Sequence, residues 1–443
     1  MKILISGATG FVGRALCEAL SREGHELVTI TRDAKRARSL IPAPHQALEW
    51  DFSIQSAPKN LDLLENTHAV IHFAGEPILE KRWNPSVEKS LYNSRVSSTR
   101  NLIALLETNC KRFPEVFITA SAIGLYGDRG SDILEETAEA GNDFLARICT
   151  DWEQALFKGC NAKTRKIALR MGIVLGEGGG ALEKMLHPFS LGLGGPLGKG
   201  SQWTSWIHID DLVSIVQECL SHEAYTGSIN CCAPNPVTNL EFTAILAKHL
   251  NTKAIFPIPK IALQLAYGKA SQVLISSQRI SSTKLLTNNY QFKYPTLDSA
   301  LSAILDQDYS RGYSKFYKKC WLPLPIEAVF KFFSQASNLE KITPPWLNFR
   351  ILSAPAGDLK QGSVIDYRLK IHKVPLFWRT EISSWNPPCE FTDTQIKGPY
   401  QFWQHTHSFS ALGSGTLMKD KVIYRLPMGY IGRVVAGAYV RND

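Results

Sequence analysis

The chain contains no apolar run approaching the ~18 residues of a membrane-spanning helix, which argues against a membrane span. It does not open on the charged region, apolar stretch and cleavage site of a secretory leader; its first residues are the apolar run of a buried strand. Nine cysteines (Cys17, Cys110, Cys149, Cys160, Cys219, Cys231, Cys232, Cys320, Cys389) are odd in number and scattered, and none has CxxC spacing. This argues against a disulfide framework and against the common zinc sites, so a reducing cytoplasm is the expected compartment. Charge of one sign is thin as well. A net +9 over 443 residues is a mild bias, not a nucleic-acid tail. Lys315, Lys318 and Lys319 form the one dense cluster and read as solvated charge in or beside a linker expected at 309–315. No internal repeat is apparent. The chain is 44% hydrophobic and 20% charged, an ordinary globular composition with material for two or three domains.

What is present begins at Met1. The apolar run Ile3 to Ile5 stops at Gly7, Gly10 and Gly13, spaced G-x-x-G-x-x-G. An amphipathic stretch follows, with Val12, Leu16, Ala19 and Leu20 on one face. This is strand, tight loop and helix start. Gly7 allows the turn, Gly10 lets a pyrophosphate approach the backbone, and Gly13 lets helix and strand pack closely. Thr9, Phe11 and Val12 belong to the same loop. The helix start offers free N–H groups and a positive dipole end to phosphates. A second strand at the right distance supplies the context this motif needs.

The pattern continues as alternating strands and helices. Strands are expected at Leu27–Ile30, Ala47–Phe52, Ala69–Ala74, Val116–Ala120 and Lys166–Leu175, and helices at Val87–Thr108 and Phe144–Ala162. Such alternation predicts an α/β, doubly wound parallel sheet, with ligands at the carboxyl ends of its strands. Gly75, Ser121 and Gly127 then converge on the glycine loop. A smaller lobe, mainly 177–300, is expected to close a substrate cleft. Its helices fall at Ala181–Leu191, Leu212–Leu220, Thr238–Leu250 and Lys260–Val273, with Asp210 or Asp211 as N-cap of the second. The first domain is placed at 1–308. From 316 to 443 the texture is that of an α+β domain: a helix at Ile326–Phe333, alternating strand runs, and a final helix at Ile431–Val440.

Separated motifs carry a resemblance. They are Ser6–Gly13, His72-Phe-Ala-Gly75-Glu76-Pro77-Ile78, Lys81-Arg82-Trp83, Ser94-Arg95-Val-Ser-Ser-Thr99, Ser121-Ala-Ile-Gly-Leu-Tyr126-Gly127, Leu169–Gly176 and Ser205–Leu212. The first ~300 residues resemble the extended short-chain dehydrogenase/reductase (SDR) superfamily and its Rossmann-type fold. More closely they are similar to its atypical, epimerase-like oxidoreductase branch. Thr343-Pro344-Pro345-Trp346, Trp378-Arg379-Thr-Glu381, Gly398-Pro399-Tyr400 and Trp403-Gln-His405-Thr-His407 resemble the SRPBCC helix-grip domains, relatives of the START lipid-binding fold. The resemblance implies a dinucleotide cofactor held by the glycine loop, with Ala74, Gly75, Glu76, Ser121 and Arg170 on the matching motifs and Asp51 near the adenine. A plain turn aspartate is the other reading of Asp51. The second strand ends in Thr31-Arg32, with Lys35 and Arg36 nearby. A guanidinium there suits a 2′-phosphate and so NADP(H); Asp33, one place late for a ribose contact, keeps NAD as the alternative.

Catalytic SDRs use a tyrosine and a lysine four residues apart on the helix after the fifth strand. With Glu153 taken as the family's acid on the next turn, those places hold Leu145 and Cys149, and Arg95 stands where an asparagine is usual. The ordinary proton relay is therefore missing. Ser121, Tyr126 and His208 are the candidate substitutes. The resemblance implies an NADP-dependent oxidoreductase acting on a partly apolar small molecule, with a hydrophobic ligand in the C-terminal domain. A non-catalytic NADP(H)-responsive binding protein is the alternative. A sugar-nucleotide epimerase is disfavoured, because it needs the same missing base. His405 and His407 share a strand face, but no third ligand is visible at a suitable spacing, so no metal is expected. The final helix is shorter than the family's usual one, as if the ligand were less covered or the chain truncated.

Overall fold

Strand alternation in the first part of the chain builds one parallel sheet. The structure, a computed structural model, describes residues 1–52, 58–190, 192–305, 313–371 and 374–426. The expected helix Ile431–Val440 and most of the expected linker lie outside them. Two compact units divide the chain, the first holding Met1–Ile41 and His45–Ile304, the second Pro42–Pro44 and the residues from Leu305 on.

The strands of the first unit are β1 (Lys2–Ser6), β2 (Glu26–Thr31), β3 (Gln46–Glu49), β4 (Ala69–His72), β5 (Val116–Ala122), β6 (Ile133–Leu134), β7 (Arg165–Met171), β8 (Ile173–Leu175), β9 (Trp203–Thr204), β10 (Trp206–His208), β11 (Gly227–Cys231), β12 (Val237–Thr238) and β13 (Arg279–Ile280). Seven of them form the sheet β3-β2-β1-β4-β5-β7-β11, and its neighbours are all parallel. The order reverses between β1 and β4, which places the ligand crevice at their carboxyl ends. Ile3, Leu4 and Ile5 are wholly buried, as expected for a strand covered on both faces. The helices of this unit include α1 (Phe11–Arg22), α2 (Ala34–Leu40), α3 (Pro85–Tyr92), α4 (Ser98–Asn109), α5 (Phe144–Gly159), α6 (Gly180–Ser190), α7 (Ile209–Ser221) and α8 (Asn239–His249).

Four local expectations change. The helix expected over Val87–Thr108 is interrupted by a π-turn at Asn93–Ser97, which separates α3 from α4. The strand expected over Lys166–Leu175 breaks at Gly172, where a Cβ would fall 2.8 Å from the Ser205 carbonyl oxygen; β8 then leaves the sheet to pair with β10. The helix expected over Lys260–Val273 stops at Tyr267, because Gly268 takes a φ of 59°. His208, not Asp210 or Asp211, caps α7: its ring accepts from the Asp210 N–H at 3.1 Å. Helix α2 was not anticipated from its basic sequence. Asp33 caps it, accepting from the Arg36 N–H at 2.8 Å.

The second unit is an antiparallel sheet of β14 (Ser314–Leu322), β15 (Arg350–Ser353), β16 (Val364–Ile371), β17 (Val374–Asn386), β18 (Glu390–Lys397), β19 (Phe402–Leu412) and β20 (Gly415–Arg425), in the order β14-β20-β19-β18-β17-β16-β15. Lys315, Lys318 and Lys319 therefore lie on an edge strand and not in a linker. Lysines there discourage pairing with another chain. Helix Ile326–Phe333 packs its apolar side on the sheet. The Phe330 ring meets Trp385, Phe391 and Phe409 at centroid distances of 5.1, 6.0 and 5.7 Å. Phe330 is 6% exposed, so Phe330→Ala is expected to cost about 3–5 kcal/mol, read as an earlier unfolding transition of this unit in urea.

Candidate functional site

Close backbone approach shapes the edge where β1 and β4 end. Gly7 has a φ of 75°, and a Cβ there would lie 2.5 Å from the carbonyl carbon and oxygen of Phe73. A Cβ on Gly13 would lie 2.2 Å from the Gly7 carbonyl oxygen. These two glycines let α1 sit against the loop and the loop against the end of β4. Gly10 is different: it is exposed, and its N–H closes the turn onto Gly7 O at 3.0 Å. No side chain caps α1, and its first turn holds no acidic residue. The N–H groups and positive dipole end at Phe11, Val12 and Gly13, beside Thr9, are thus arranged for an anion. Phe11 is partly buried. Gly176, Gly179 and Gly180 lie so close to its ring that a Cβ on any of them would come within 3.0 Å of it.

At the end of β2, Arg32 is exposed and makes no ion pair among the described residues, with Lys35 and Arg36 also exposed. Asp33 is already engaged: its carboxylate caps α2, and its N–H donates to Thr31 Oγ1 at 3.2 Å. Asp51 follows β3 and is half-buried. The next residue is anchored, since Asn101 Nδ2 donates to Phe52 O at 2.7 Å.

Beneath the loop lies a buried histidine relay. His72 Nδ1 is 2.6 Å from Ser6 Oγ and Nε2 is 3.2 Å from Ser98 Oγ. Ser98 donates its own proton to Ser94 O at 2.7 Å. This assigns the proton of His72 to Nε2, with Ser6 donating to Nδ1 while it accepts from the Ala74 N–H at 3.3 Å. Burial pulls His72 down to about 3, so the ring is neutral. It ties β1, β4 and α4 together at the crevice floor. The next loop holds Ala74, Gly75 and Glu76. The Glu76 N–H donates to Ser94 Oγ, and Arg95, carried on the π-turn, donates to Glu76 O at 2.8 Å. The Arg95 guanidinium lies 3.3 Å from where a Gly75 Cβ would be and stacks over Trp152. Arg95 therefore puts a partly buried cation in the wall of the crevice.

The remaining candidates meet in a second network. Glu153 on α5 takes a bidentate contact from Arg170, Nε at 2.9 Å and Nη2 at 2.8 Å, and also accepts from Ser121 Oγ at 2.7 Å and Ser228 Oγ at 2.9 Å. Arg170 Nη1 donates to Tyr126 Oη and Glu136 O, both at 2.8 Å, and Tyr126 Oη donates to Asn230 Oδ1 at 2.7 Å. Arg170 was expected at the cofactor; four of its five N–H donors are used inside this cluster. Burial pushes the Tyr126 phenol up to about 12. His208 stands apart from that network. It is 5% exposed and its ring lies 3.9 Å from that of Tyr294; burial lowers its pKa against the opposing pull of Asp210 and Asp211.

Residues 3–232 match the family described as NAD dependent epimerase/dehydratase. The chain belongs to that family. Residues 258–304 match a domain of unknown function, DUF1731, and residues 322–442 match the family of polyketide cyclases, dehydrases and lipid transport. The human epimerase family protein SDR39U1 is 33% identical over 309 residues, 69% of this chain and all of that protein. Its chloroplastic homolog from Arabidopsis thaliana is 34% identical over 313 residues, 69% of this chain and 87% of the homolog. The crystal structure of human SDR39U1 (isoform 2) with NADPH superposes with a TM-score of 0.61 at 31% identity, over 69% of this chain and 99% of that one. The family's Rossmann-type sheet is thus joined to a separate antiparallel, helix-grip type domain, and no described helix is long and apolar enough to cross a membrane.

The two positions on α5 that the resemblance assigned to the tyrosine and lysine are both packed. Leu145 packs beside Gly124, and Cys149 is 5% exposed. Burial pushes the Cys149 thiol up to about 12, with Glu153 adding to the shift. The thiol is protonated at neutral pH and is no substitute for lysine. Alkylation of the native chain at pH 7 is expected to label exposed Cys389 and spare Cys149 until denaturant is added, as read by peptide mass mapping.

Proposed function

We propose that the first unit binds NADP(H) and that the protein is an atypical oxidoreductase of its family, acting on a partly apolar small molecule. One observation carries the cofactor reading. An uncapped helix start lies over a glycine loop, near an exposed arginine whose neighbouring aspartate is spent as a helix cap. Gly7, Thr9, Gly10, Phe11, Val12 and Gly13 would hold the pyrophosphate, and Arg32 the 2′-phosphate. A ribose-binding acid, the feature that would favour NAD, has no free candidate in Asp33. Asp51, Ala74, Gly75 and Glu76 would line the remainder of the cofactor. The NADPH-bound crystal structure of the human relative supports the same choice. The second unit is proposed to hold a hydrophobic ligand, in keeping with the lipid-transport description of its family. Nine free cysteines suit a reducing compartment such as the cytoplasm.

Bound NADPH would supply a hydride. Arg95 would offer a fixed positive charge in the crevice wall, against which negative charge on a reduced carbonyl could develop. A proton must come from another group. Ser121, Tyr126 and His208 are the proposed sources, and each would have to give up a bond it makes here: to Glu153, to Asn230, and to the Asp210 N–H. Those commitments favour a second reading, in which NADP(H) occupancy regulates binding and turnover is absent. Epimerisation would need a proton relay of the same kind and is not favoured.

The full-length protein separates these readings. NADPH oxidation is followed with a panel of aldehydes, ketones and quinones while NADPH affinity is measured by titration. Oxidation above background supports the oxidoreductase; tight binding with no oxidation supports the regulatory protein. Arg32→Ala is expected to weaken NADPH by about 10-fold or more, the order of one charge-assisted contact, and to leave NADH nearly unchanged. Equal losses for both would overturn the 2′-phosphate assignment.

A further inference from the structure

The inner face of the second sheet carries charge where an apolar lining is expected. His405 and His407 alternate along β19. Across the ladder, Asp393 of β18 lies opposite His405, and Asp420 of β20 lies opposite His407. All four side chains share the face that holds Phe391 and Phe409: the His407 ring stacks on Phe391 at 4.5 Å and approaches Phe333 of the packed helix at 5.9 Å. His407 is 8% exposed, and the other three are partly buried. Two carboxylates and two imidazoles in such surroundings carry a desolvation cost that a hydrophobic lining would avoid.

Their arrangement is ordered. Asp393 Oδ2 lies 3.8 Å from His405 Nδ1 and 3.7 Å from His407 Nε2. The opposite ring nitrogens both turn to Asp420 Oδ1, His405 Nε2 at 3.2 Å and His407 Nδ1 at 2.6 Å. Thr380 donates to the other Asp393 oxygen, Oδ1, at 2.9 Å. Each imidazole thus has one nitrogen toward Asp420 and the other toward Asp393, while Thr380 leaves Asp393 Oδ2 free to ligate. His405 is held as metal-binding histidines usually are, a carboxylate behind the ring taking its N–H and turning the remaining lone pair to the ion, and His407 Nδ1 lies close to the same carboxylate oxygen.

We propose that Asp393 Oδ2, His405 Nδ1 and His407 Nε2 bind a divalent transition metal, zinc in the first instance, with Asp420 and Thr380 positioning the ligands. The three donor atoms lie within 4.8 Å of one another. Zinc bonds of about 2.0–2.2 Å would put neighbouring donors roughly 3.3 Å apart, so the two contacts to Asp393 need to close by only about half an ångström. Two histidines and one carboxylate leave coordination positions for water or an oxygen donor of a ligand, as in catalytic rather than structural zinc sites. The site stands independently of NADP(H) binding in the first unit.

The test uses the full-length, tag-free chain, stripped with chelator and dialysed against Zn2+ or Co2+. One metal per chain is expected by elemental analysis. Bound Co2+ should show visible d–d absorption of a low-coordinate site and lose it when Zn2+ is added. Asp393→Asn and His407→Gln should abolish uptake, and Asp420→Asn should weaken it about 10–100-fold. His222→Gln, which removes an exposed histidine paired with Glu218, should change nothing. The wild-type Co2+ spectrum needs no variant, so a misfolded variant leaves the test intact. Substoichiometric uptake by the wild type, or unchanged uptake by Asp393→Asn in a folded chain, would overturn the site and leave the four residues as an ion-pair network only.

Discussion

The close backbone contact at Gly7 and Gly13 is the constraint on which the first unit depends. Its backbone atoms occupy the space that two methyl groups would need. That contact brings α1 onto the loop and the loop onto the end of β4, and so leaves the helix start open at the point where the strand order reverses. His72 lies below and joins β1, β4 and α4 through two serine hydroxyls. Its neutrality follows from its burial: a charged imidazole there would have no compensating carboxylate.

The second constraint is the Glu153–Arg170 pair. A buried ion pair contributes to the native state only when its remaining donors and acceptors are satisfied. Here Ser121, Ser228, Tyr126 and the Glu136 carbonyl complete it. The same completion removes Ser121 and Tyr126 from easy chemical use. Leu145 and Cys149, the places the resemblance assigned to a tyrosine and a lysine, are both packed. Helix α5 contributes packing and Glu153, while the glycine loop has the backbone features of a nucleotide site.

The second unit combines two demands on one sheet. Its inner face must be apolar where Phe330 meets Trp385, Phe391 and Phe409. The next rows carry Asp393, His405, His407 and Asp420. Burial alone would pull His407 down, but the two carboxylates outweigh it and bring the ring up to about 9, while both aspartates are held below the usual carboxylate range. In the metal-free chain Asp393, His407 and Asp420 thus favour their charged forms, and a metal taken up at His407 Nε2 would displace a proton.

Much was legible in the sequence because its signals are local. Three glycines after an apolar run mark a tight loop at a helix start, alternation of strand and helix marks a parallel sheet, and Arg32 stands out as a basic residue at the end of the second strand. Even the loss of Tyr-x-x-x-Lys is a statement about two positions, Leu145 and Cys149. What the tertiary structure decided are relations between distant residues. Asp33 became a helix cap because a short basic helix follows it, a helix with too little apolar pattern to announce itself. Arg170 turned to Glu153 because α5 packs beside β7. His405 and His407 looked like a pair without a third ligand; antiparallel pairing, which sets residues opposite one another regardless of their separation along the chain, placed Asp393 and Asp420 against them. Composition and spacing determine which elements form, whereas register and packing determine which polar groups meet.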